Sequence, residues 1–236
     1  MPDTLPKLTR DITACHLCPR LVSWREQVAR EKTRRFQSEE YWGKPLAGFG
    51  DPEARVLLVG LAPAAHGGNR TGRVFTGDRS GDWLFRALHR AGFANQAESI
   101  ARGDGLALKD CYVAAAARCA PPGNKPLPEE FARCRPFLLR ELRLLRRLRV
   151  VVGLGKLGFD HAFLALRESH GLPAGPRPRF AHGAEALLAP GLTLVGVFHP
   201  SQQNTFTGRL TEAMLDKVFA RVQALLKAGD PRGDYI

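Results

Sequence analysis

The chain has 236 residues, of which 44% are hydrophobic, and this is enough apolar side chain to bury a sizeable core, so bulk disorder is excluded. No run of about 18 apolar residues occurs, and the N-terminal segment lacks the apolar stretch of a secretory signal, so neither a membrane-spanning helix nor export is expected. The 35 Lys and Arg outnumber the 23 Asp and Glu, which gives a formal net charge of +12 and favours a polyanionic partner such as nucleic acid.

Apolar, β-branched runs alternate along the chain with segments of helical periodicity. The predicted elements, in chain order, are a helix at 21–36, a strand at 54–61, a helix at 81–93, a strand at 111–117, a helix at 128–148, a strand at 149–154, a helix at 155–169, a strand at 193–198 and a helix at 211–228. Pro136 is expected to kink or interrupt its helix, and 171–192, rich in Gly and Pro, is the least predictable segment. This alternation predicts an α/β fold, a three-layer α/β/α sandwich around a mostly parallel sheet of four strands, in a single domain spanning 1–236.

Four of the five cysteines form two groups that are far apart in the sequence. Cys15 and Cys18 are separated by two residues near the N-terminus, and Cys119 and Cys134 lie in the middle of the chain. Because no export signal is recognised, reduced thiols are expected, and four thiolates suit either one metal ion or an iron–sulfur cluster. Such a centre would tie the N-terminal arm, about 1–36, to the rest of the domain.

Three polar loops follow predicted strands, at 62–80, 118–127 and 199–209. Ligands of parallel sheets bind beyond the carboxyl ends of the strands, so these loops are expected to converge on one crevice. The third loop begins with His199 and continues with polar residues that cannot belong to a core, which indicates a surface crevice.

The first loop offers small residues and cations side by side. Gly60 and Ala62, directly after the strand, would let a ligand approach the backbone closely. Arg70 and Arg73 precede Phe75, so an aromatic face is expected beside groups that bind phosphate. The loop matches neither a P-loop nor a dinucleotide-binding motif.

These loops and the cysteines together resemble the uracil-DNA glycosylases. Two segments resemble sequence motifs of that superfamily, Gly60-Leu61-Ala62-Pro63 and His199-Pro200-Ser201. The four cysteines resemble the quartet found in its iron–sulfur branches. The sequence AsnLysPro at 124–126, with HPSQQNTFTGRL at 199–210, resembles family 5, the B-type enzymes. The resemblance extends from Cys15 to about Leu226 and implies a uracil-DNA glycosylase-like fold.

The resemblance implies roles for the matching positions. Phe75 would stack on an extruded base, and His199 would donate a hydrogen bond to uracil O2. Gly60 and Ala62 are further candidates to contact the base. The four cysteines would hold a structural [4Fe-4S] cluster: Cys15, Cys18, Cys119 and Cys134. Cys111 has no counterpart and is expected to be a buried strand residue.

The chain also departs from the pattern of other branches. Leu61, Ala62 and Ala64 stand where relatives in other branches carry a carboxylate that positions or activates water. Asp78, at the end of the same loop, is our candidate for that task, and its alternative role is to cap the following helix. Several relatives read the base with an asparagine where this chain has Ala115, and Asn124 is our candidate to replace it.

The expected partner is DNA, double or single stranded, with a uracil or another damaged base. The enzyme would extrude that base or take single-stranded substrate, with Phe206 as the wedge and Arg70 and Arg73 on phosphates. Further DNA contacts are expected from the third loop, through Ser201, Gln202, Gln203, Asn204 and Arg209. The three loops contain a single lysine, Lys125, so a Schiff-base step has little support and simple hydrolysis is predicted. The small alanines of the first loop suggest that hypoxanthine, xanthine and ethenocytosine are further substrates.

Two alternatives remain open on the sequence. The first is an iron–sulfur protein of electron transfer, and the second is a zinc-stapled nucleic-acid binding protein without glycosylase chemistry, in which His16 joins a mixed zinc site. In each case the chain is expected to be a cytoplasmic monomer.

Overall fold

The computed structural model describes residues 2–228 and is built around one sheet. Its strands are β1 (Phe49–Gly50), β2 (Val56–Gly60), β3 (Cys111–Ala115), β4 (Val150–Leu154), β5 (Glu185–Ala189) and β6 (Leu192–Val197). The strand order is β1-β3-β2-β4-β6-β5. The four central strands are parallel, while β1 pairs antiparallel with β3 and β5 antiparallel with β6.

The mostly parallel sheet was predicted correctly, but the count of four strands was wrong, because the sheet has six. β1 is only two residues long, too short to form a periodic pattern. β5 lies in the Gly- and Pro-rich stretch, and its residues are exposed or half-buried, so it shows no apolar run. Both extra strands lie at the edges of the sheet, where the demand for apolar side chains is lowest.

Helices cover both faces of the sheet. The α-helices are α1 (Leu5–Thr13), α2 (Pro19–Glu31), α3 (Gly68–Thr71), α4 (Arg79–Arg90), α5 (Pro128–Leu144), α6 (Gly155–Ser169), α7 (Gln202–Phe206) and α8 (Glu212–Ala228). One hydrophobic cluster joins α4 and α8 to one face, and a second joins α5 and α6 to the other. Along β2, Val56 and Leu58 belong to the first cluster and Leu57 and Val59 to the second, so the three-layer α/β/α sandwich is confirmed.

Two predicted helices differ in detail from those observed. α2 ends at Glu31 rather than at 36, because Lys32 adopts a left-handed backbone (φ 53°) that stops the helix. Pro136 lies inside α5 without interrupting it. The lost backbone hydrogen bond is tolerated there because α5 buries apolar side chains on both sides of the proline, among them Phe131 and Leu138.

The N-terminal arm packs against α5. Leu8 and Ile12 of α1 are buried, and Arg140 of α5 forms ion pairs with Asp3 (2.6 Å) and Asp11 (2.8 Å). Within residues 2–228, none of the helices has both the length and the apolar content needed to cross a bilayer.

Candidate active site

The three loops meet at the carboxyl edge of the sheet, as predicted, and enclose a cavity of about 530 Å³. The loop after β2 contributes the largest part of the lining, the segment after β3 contributes Asn124, and the segment after β6 contributes His199. The lining residues are Leu61, Ala62, Pro63, Ala64, Val74, Phe75, Asp78, Arg79, Ser80, Asn124, His199, Ser201, Gln202 and Gln203.

Phe75 is held in the cavity wall by an unusual backbone and by small neighbours. Its φ of 53° lies in the left-handed region, which is strained for an aromatic residue. Gly60 makes room for its ring, because a Cβ at Gly60 would lie 2.7 Å from two ring carbons. A Cβ at Gly81 would overlap the Phe75 carbonyl oxygen. The glycines therefore position the aromatic face.

His199 lies beside Phe75, with 5.9 Å between the ring centroids. The side-chain amide of Asn204 donates a hydrogen bond to the His199 carbonyl oxygen (2.9 Å), which holds the backbone of the histidine in place. Gly155 packs against the side chain of His199, since a Cβ added at Gly155 would lie 3.1 Å from the Cβ of His199. Burial lowers the pKa of His199 to about 4, so the imidazole is neutral at physiological pH.

Asp78 both caps α4 and faces the cavity. Its Oδ1 accepts a hydrogen bond from the backbone N–H of Gly81 (3.0 Å), which is the capping role. A Cβ at Gly67 would overlap its Oδ2, so that oxygen lies close against the loop backbone. Burial raises the pKa of Asp78 above its ordinary value of 3.8, because the charged carboxylate is poorly solvated there.

Asn124 is exposed at the rim of the cavity and adopts a left-handed backbone (φ 56°). Its backbone N–H donates to the carbonyl of Pro121 (3.2 Å), which closes the turn. Asparagine tolerates this conformation better than most residues. The turn therefore presents an amide side chain at the cavity mouth, whereas Ala115, at the end of β3, is buried in the core.

The third loop forms the short helix α7, which Ser201 caps by accepting from Asn204 N–H (3.4 Å). Gln202 and Gln203 line the cavity with exposed side chains. Phe206 is 65% exposed, with the Arg79 guanidinium 4.3 Å from its ring centroid.

Arg209 is also exposed at the end of this loop, and its guanidinium lies 4.8 Å from the Phe198 ring centroid. The loop therefore offers polar, aromatic and cationic side chains to one surface. Asn204, in contrast, is turned inward and supports His199.

Arg70 and Arg73, which were predicted to contact phosphates, form ion pairs and hydrogen bonds within the protein. Arg70 pairs with Glu39 and donates to the backbone carbonyls of His66 (2.8 Å) and Gly77 (2.9 Å). Arg73 is buried and pairs with Asp104 (2.7 Å). A buried cation needs such partners, so these contacts do not favour the predicted phosphate contacts, and both side chains brace the loop that carries Phe75.

Arg79 is a residue that the sequence did not single out. It lines the cavity directly after Asp78 and also lines a neighbouring cavity of about 730 Å³. That second cavity shares Ala64, Asp78, Asn124 and Gln202 with the first. Nothing in the sequence distinguishes Arg79 from the other arginines of its loop, because which of them pair with a carboxylate depends on the tertiary structure.

The four predicted cluster cysteines lie at the junction of the arm and the loop after β3. All four are free thiols, and Cys18, Cys119 and Cys134 are buried. Burial raises the pKa of Cys119 to about 12 and that of Cys134 to about 11, and in both cases the neighbouring Cys15 thiol adds to the increase. Cys111 is buried in β3, as predicted.

Two buried arginines approach these thiols. Arg25 donates from Nη1 to the Sγ of Cys119 (3.2 Å) and to the carbonyl of Cys15 (3.3 Å). Arg118, paired with Glu141 (2.5 Å), lowers the pKa of the Cys134 thiol through its backbone N–H and its charge. Within residues 2–228, no group of three or more His, Cys, Asp or Glu side chains is arranged to hold a metal ion.

Comparison with known proteins gives two findings. A family model described as the uracil DNA glycosylase superfamily matches residues 47–223. The chain is 50% identical to a type-5 uracil-DNA glycosylase of Mycobacterium leprae over 94% of this chain and 96% of that one. It is 51% identical to a type-5 enzyme of Mycobacterium tuberculosis (91% and 79%) and 50% identical to one of Thermus thermophilus (91% and 94%).

Proposed function

The chain belongs to the uracil DNA glycosylase superfamily, and from this premise we propose that it excises uracil from DNA by hydrolysing the N-glycosidic bond. The observation that carries this proposal is the pairing of Phe75 with a neutral, half-buried His199 in a cavity at the carboxyl edge of the sheet. An aromatic face and a hydrogen-bond donor are the two groups that a flipped pyrimidine needs.

His199 acts as a hydrogen-bond donor in this proposal. A neutral imidazole carries one N–H, which it donates to O2 of the base as negative charge develops there during bond cleavage. Because Asn204 and Gly155 hold its backbone, the donor is positioned before the reaction begins. A fixed donor in a site shielded from water stabilises the transition state more than a mobile one would.

Asp78 is the candidate for placing the attacking water. It is a carboxylate that lines the cavity, and its cap to Gly81 N–H fixes the orientation of its side chain. Its negative charge also favours the positive charge that grows on the sugar. No lysine lines the cavity as described in residues 2–228, which supports simple hydrolysis over a Schiff-base pathway.

The DNA would approach from the side of α7. Phe206 is the exposed apolar side chain there, and it would fill the space that the extruded base leaves, while Arg79 and Arg209 contact the backbone. Gln202, Gln203 and Ser201 lie between the wedge and the cavity. Asn124 would read the edge of the base from the opposite rim.

Cys15, Cys18, Cys119 and Cys134 are the residues that would hold a [4Fe-4S] cluster. Thiols of the two distant segments are near enough to raise one another's pKa, and the buried Arg25 and Arg118 provide positive charge for thiolates. When bound, the cluster supplies a crosslink between the N-terminal arm and the segment that leads to Asn124.

The small side chains of Ala62 and Ala64 leave the cavity open to larger bases. A volume of about 530 Å³ exceeds that of a pyrimidine, so hypoxanthine, xanthine and ethenocytosine are proposed as further substrates. We propose that the enzyme acts as a monomer on double- and single-stranded DNA, with U·G favoured over U·A because an unstable pair costs less to open.

The test is a panel of oligonucleotides, each with one uracil, hypoxanthine, xanthine or ethenocytosine, incubated with the purified protein and then cleaved with alkali. Strand cleavage at uracil only after the alkali step is expected, with no covalent enzyme–DNA complex after borohydride reduction. DNA binding without release of any base would contradict the proposal and support the nucleic-acid binding alternative. Reversible reduction of a cluster without base release would support an electron-transfer protein.

A further inference from the structure

A third cavity, which we call the arm groove, lies between the N-terminal arm and the segment that precedes β1. Its volume is about 790 Å³. It is lined by α1, α2, residues 41–44 and Arg102. Its basic members are Arg10, Arg25, Arg30, Lys44 and Arg102, together with His16.

The arm groove carries an excess of positive charge. Glu26 is the carboxylate among its lining residues, and it lies 3.6 Å from Arg25. Within residues 2–228, no ion pair joins a carboxylate to Arg10, Arg30, Lys44 or Arg102, and all four side chains are exposed. Exposed cations gathered in a concave surface raise the local concentration of anions.

Two of these cations are positioned by Trp42. The Lys44 ammonium lies 5.5 Å and the Arg102 guanidinium 4.8 Å from the Trp42 ring centroid. The indole donates to the carbonyl of Pro45 (3.2 Å), and the Trp42 backbone N–H donates to the carbonyl of Arg70 (2.9 Å). The cations are therefore anchored to the loop that carries Phe75.

The arm groove lies beside the 730 Å³ cavity, here called the intermediate cavity, which adjoins the cavity that holds Phe75 and His199, here called the base cavity. Tyr41 lines the arm groove and its hydroxyl lies 3.1 Å from Nδ1 of His66, which lines the 730 Å³ cavity. Ile100 lines the intermediate cavity, and Arg102, two residues on, lines the arm groove. The intermediate cavity in turn shares Asp78 and Arg79 with the base cavity. The intermediate cavity therefore adjoins both the arm groove and the base cavity.

We propose that the arm groove binds the backbone of the substrate DNA on one side of the extruded nucleotide, with Arg10, Arg30, Lys44 and Arg102 contacting phosphates. This inference rests on the proposed function and extends it to residues outside the three loops. DNA is favoured over an acidic protein because the cationic groove lies beside the cavities that lead to the proposed base site, so one polyanion can reach both. The contacts position the strand and read no sequence.

The first test measures equilibrium binding of a uracil-free duplex at several salt concentrations, for the full-length protein and for Arg30→Gln, Lys44→Gln, Arg102→Gln and the triple variant. Each lost phosphate contact should reduce the slope of log K against log salt by about 0.9. Arg147→Gln is the matched control, because Arg147 is exposed just before β4, at the amino ends of the strands. It should leave the slope near that of the wild type.

The second test uses uracil substrates extended on the 5′ side only, on the 3′ side only, or on neither side. The triple variant should lose kcat/KM with one extended substrate and keep wild-type kcat/KM with the short one. Equal losses with all substrates, or an unchanged salt slope, would overturn the groove assignment, and so would selective loss of binding to an acidic peptide but not to DNA. Because the binding test needs no base release, it separates failure of this inference from failure of the proposed function.

Discussion

His199 has a pKa lowered to about 4 by burial, whereas burial raises the pKa of Asp78. The direction differs because burial penalises the charged form, which is the protonated imidazole in one case and the ionised carboxylate in the other. At neutral pH the histidine is therefore uncharged, and its proposed hydrogen bond to the base is that of a neutral donor. The carboxylate is poised to lose its charge at a higher pH than an exposed aspartate does.

This difference predicts the pH profile of the reaction. If ionised Asp78 places the water, kcat/KM should fall as the pH drops through its raised pKa, so the acid limb lies above 3.8. Asp78→Asn should lower kcat/KM by about 10²-fold and remove that limb, while asparagine still caps α4. The measurement is kcat/KM on a uracil oligonucleotide between pH 4 and pH 8. An acid limb that persists unchanged in Asp78→Asn would rule out this role.

Gly60 predicts a second effect at the scale of single residues. A methyl group there would lie 2.7 Å from the Phe75 ring, so Gly60→Ala should displace the ring and weaken base binding. We expect a loss of about 10-fold or more in kcat/KM, equivalent to about 1.4 kcal/mol. Gly175→Ala is the control, because nothing lies within 4 Å of an added Cβ at Gly175. Equal activity of the two variants would contradict the packing argument.

At the scale of elements, buried periodic segments were predictable and pairing of polar groups was not. α6 occupies 155–169 as predicted, and the four central strands differ from their predicted ranges by one or two residues. These elements are defined by continuous apolar runs, which burial on both sides requires. The edge strand β5 has no such run, so the sequence did not reveal it.

The position of the candidate site could be predicted from the sequence, because the loops that form it directly follow predicted strands. His199 and Phe75 come together because parallel strands deliver their loops to one edge. The ion pairs of Arg70 and Arg73 could not be predicted, because their partners, Glu39 and Asp104, lie 31 residues away in each case. Such pairing depends on tertiary structure, and no local pattern records it.

The helix α7 carries a prediction of its own. Phe206 is exposed and lies under the Arg79 guanidinium, so Phe206→Ala removes apolar surface without disturbing the core. As a wedge, it should matter for duplex substrates, with a loss of about 10-fold or more there and little change on single-stranded DNA. Leu187→Ala, which truncates an exposed leucine on β5, is the control. A loss of the same size on both substrates would exclude a wedge.

At the scale of the whole molecule, the N-terminal arm is joined to the sheet by α5 and by the cysteines. The ion pairs of Arg140 fix α1, and the contact between Arg25 and Cys119 fixes α2. The same arm forms one wall of the arm groove. The proposed role of the arm groove gives the arm a part in substrate binding as well as in stability.

Removing one cysteine should test the crosslink. Cys134→Ser is expected to lose iron and acid-labile sulfide, and a loss of about 2 kcal/mol would lower Tm by roughly 4–8 °C. The checks are iron and sulfide analysis and a thermal melt of protein purified without oxygen. Cys111→Ala is the matched control, since Cys111 is buried in β3 away from the quartet, and it should keep its iron. Wild-type iron in Cys134→Ser would contradict the ligand assignment.

The most direct measurement of the central claim is the single-turnover rate of uracil release by His199→Ala, compared with His161→Ala. Burial lowers the pKa of both histidines to about 4, but His161 stacks on Phe131 outside the cavity (3.8 Å between centroids). We predict a loss of about 10²–10³-fold for His199→Ala, the usual effect of removing one preorganised donor, and a near wild-type rate for His161→Ala. A wild-type rate in His199→Ala would contradict the account.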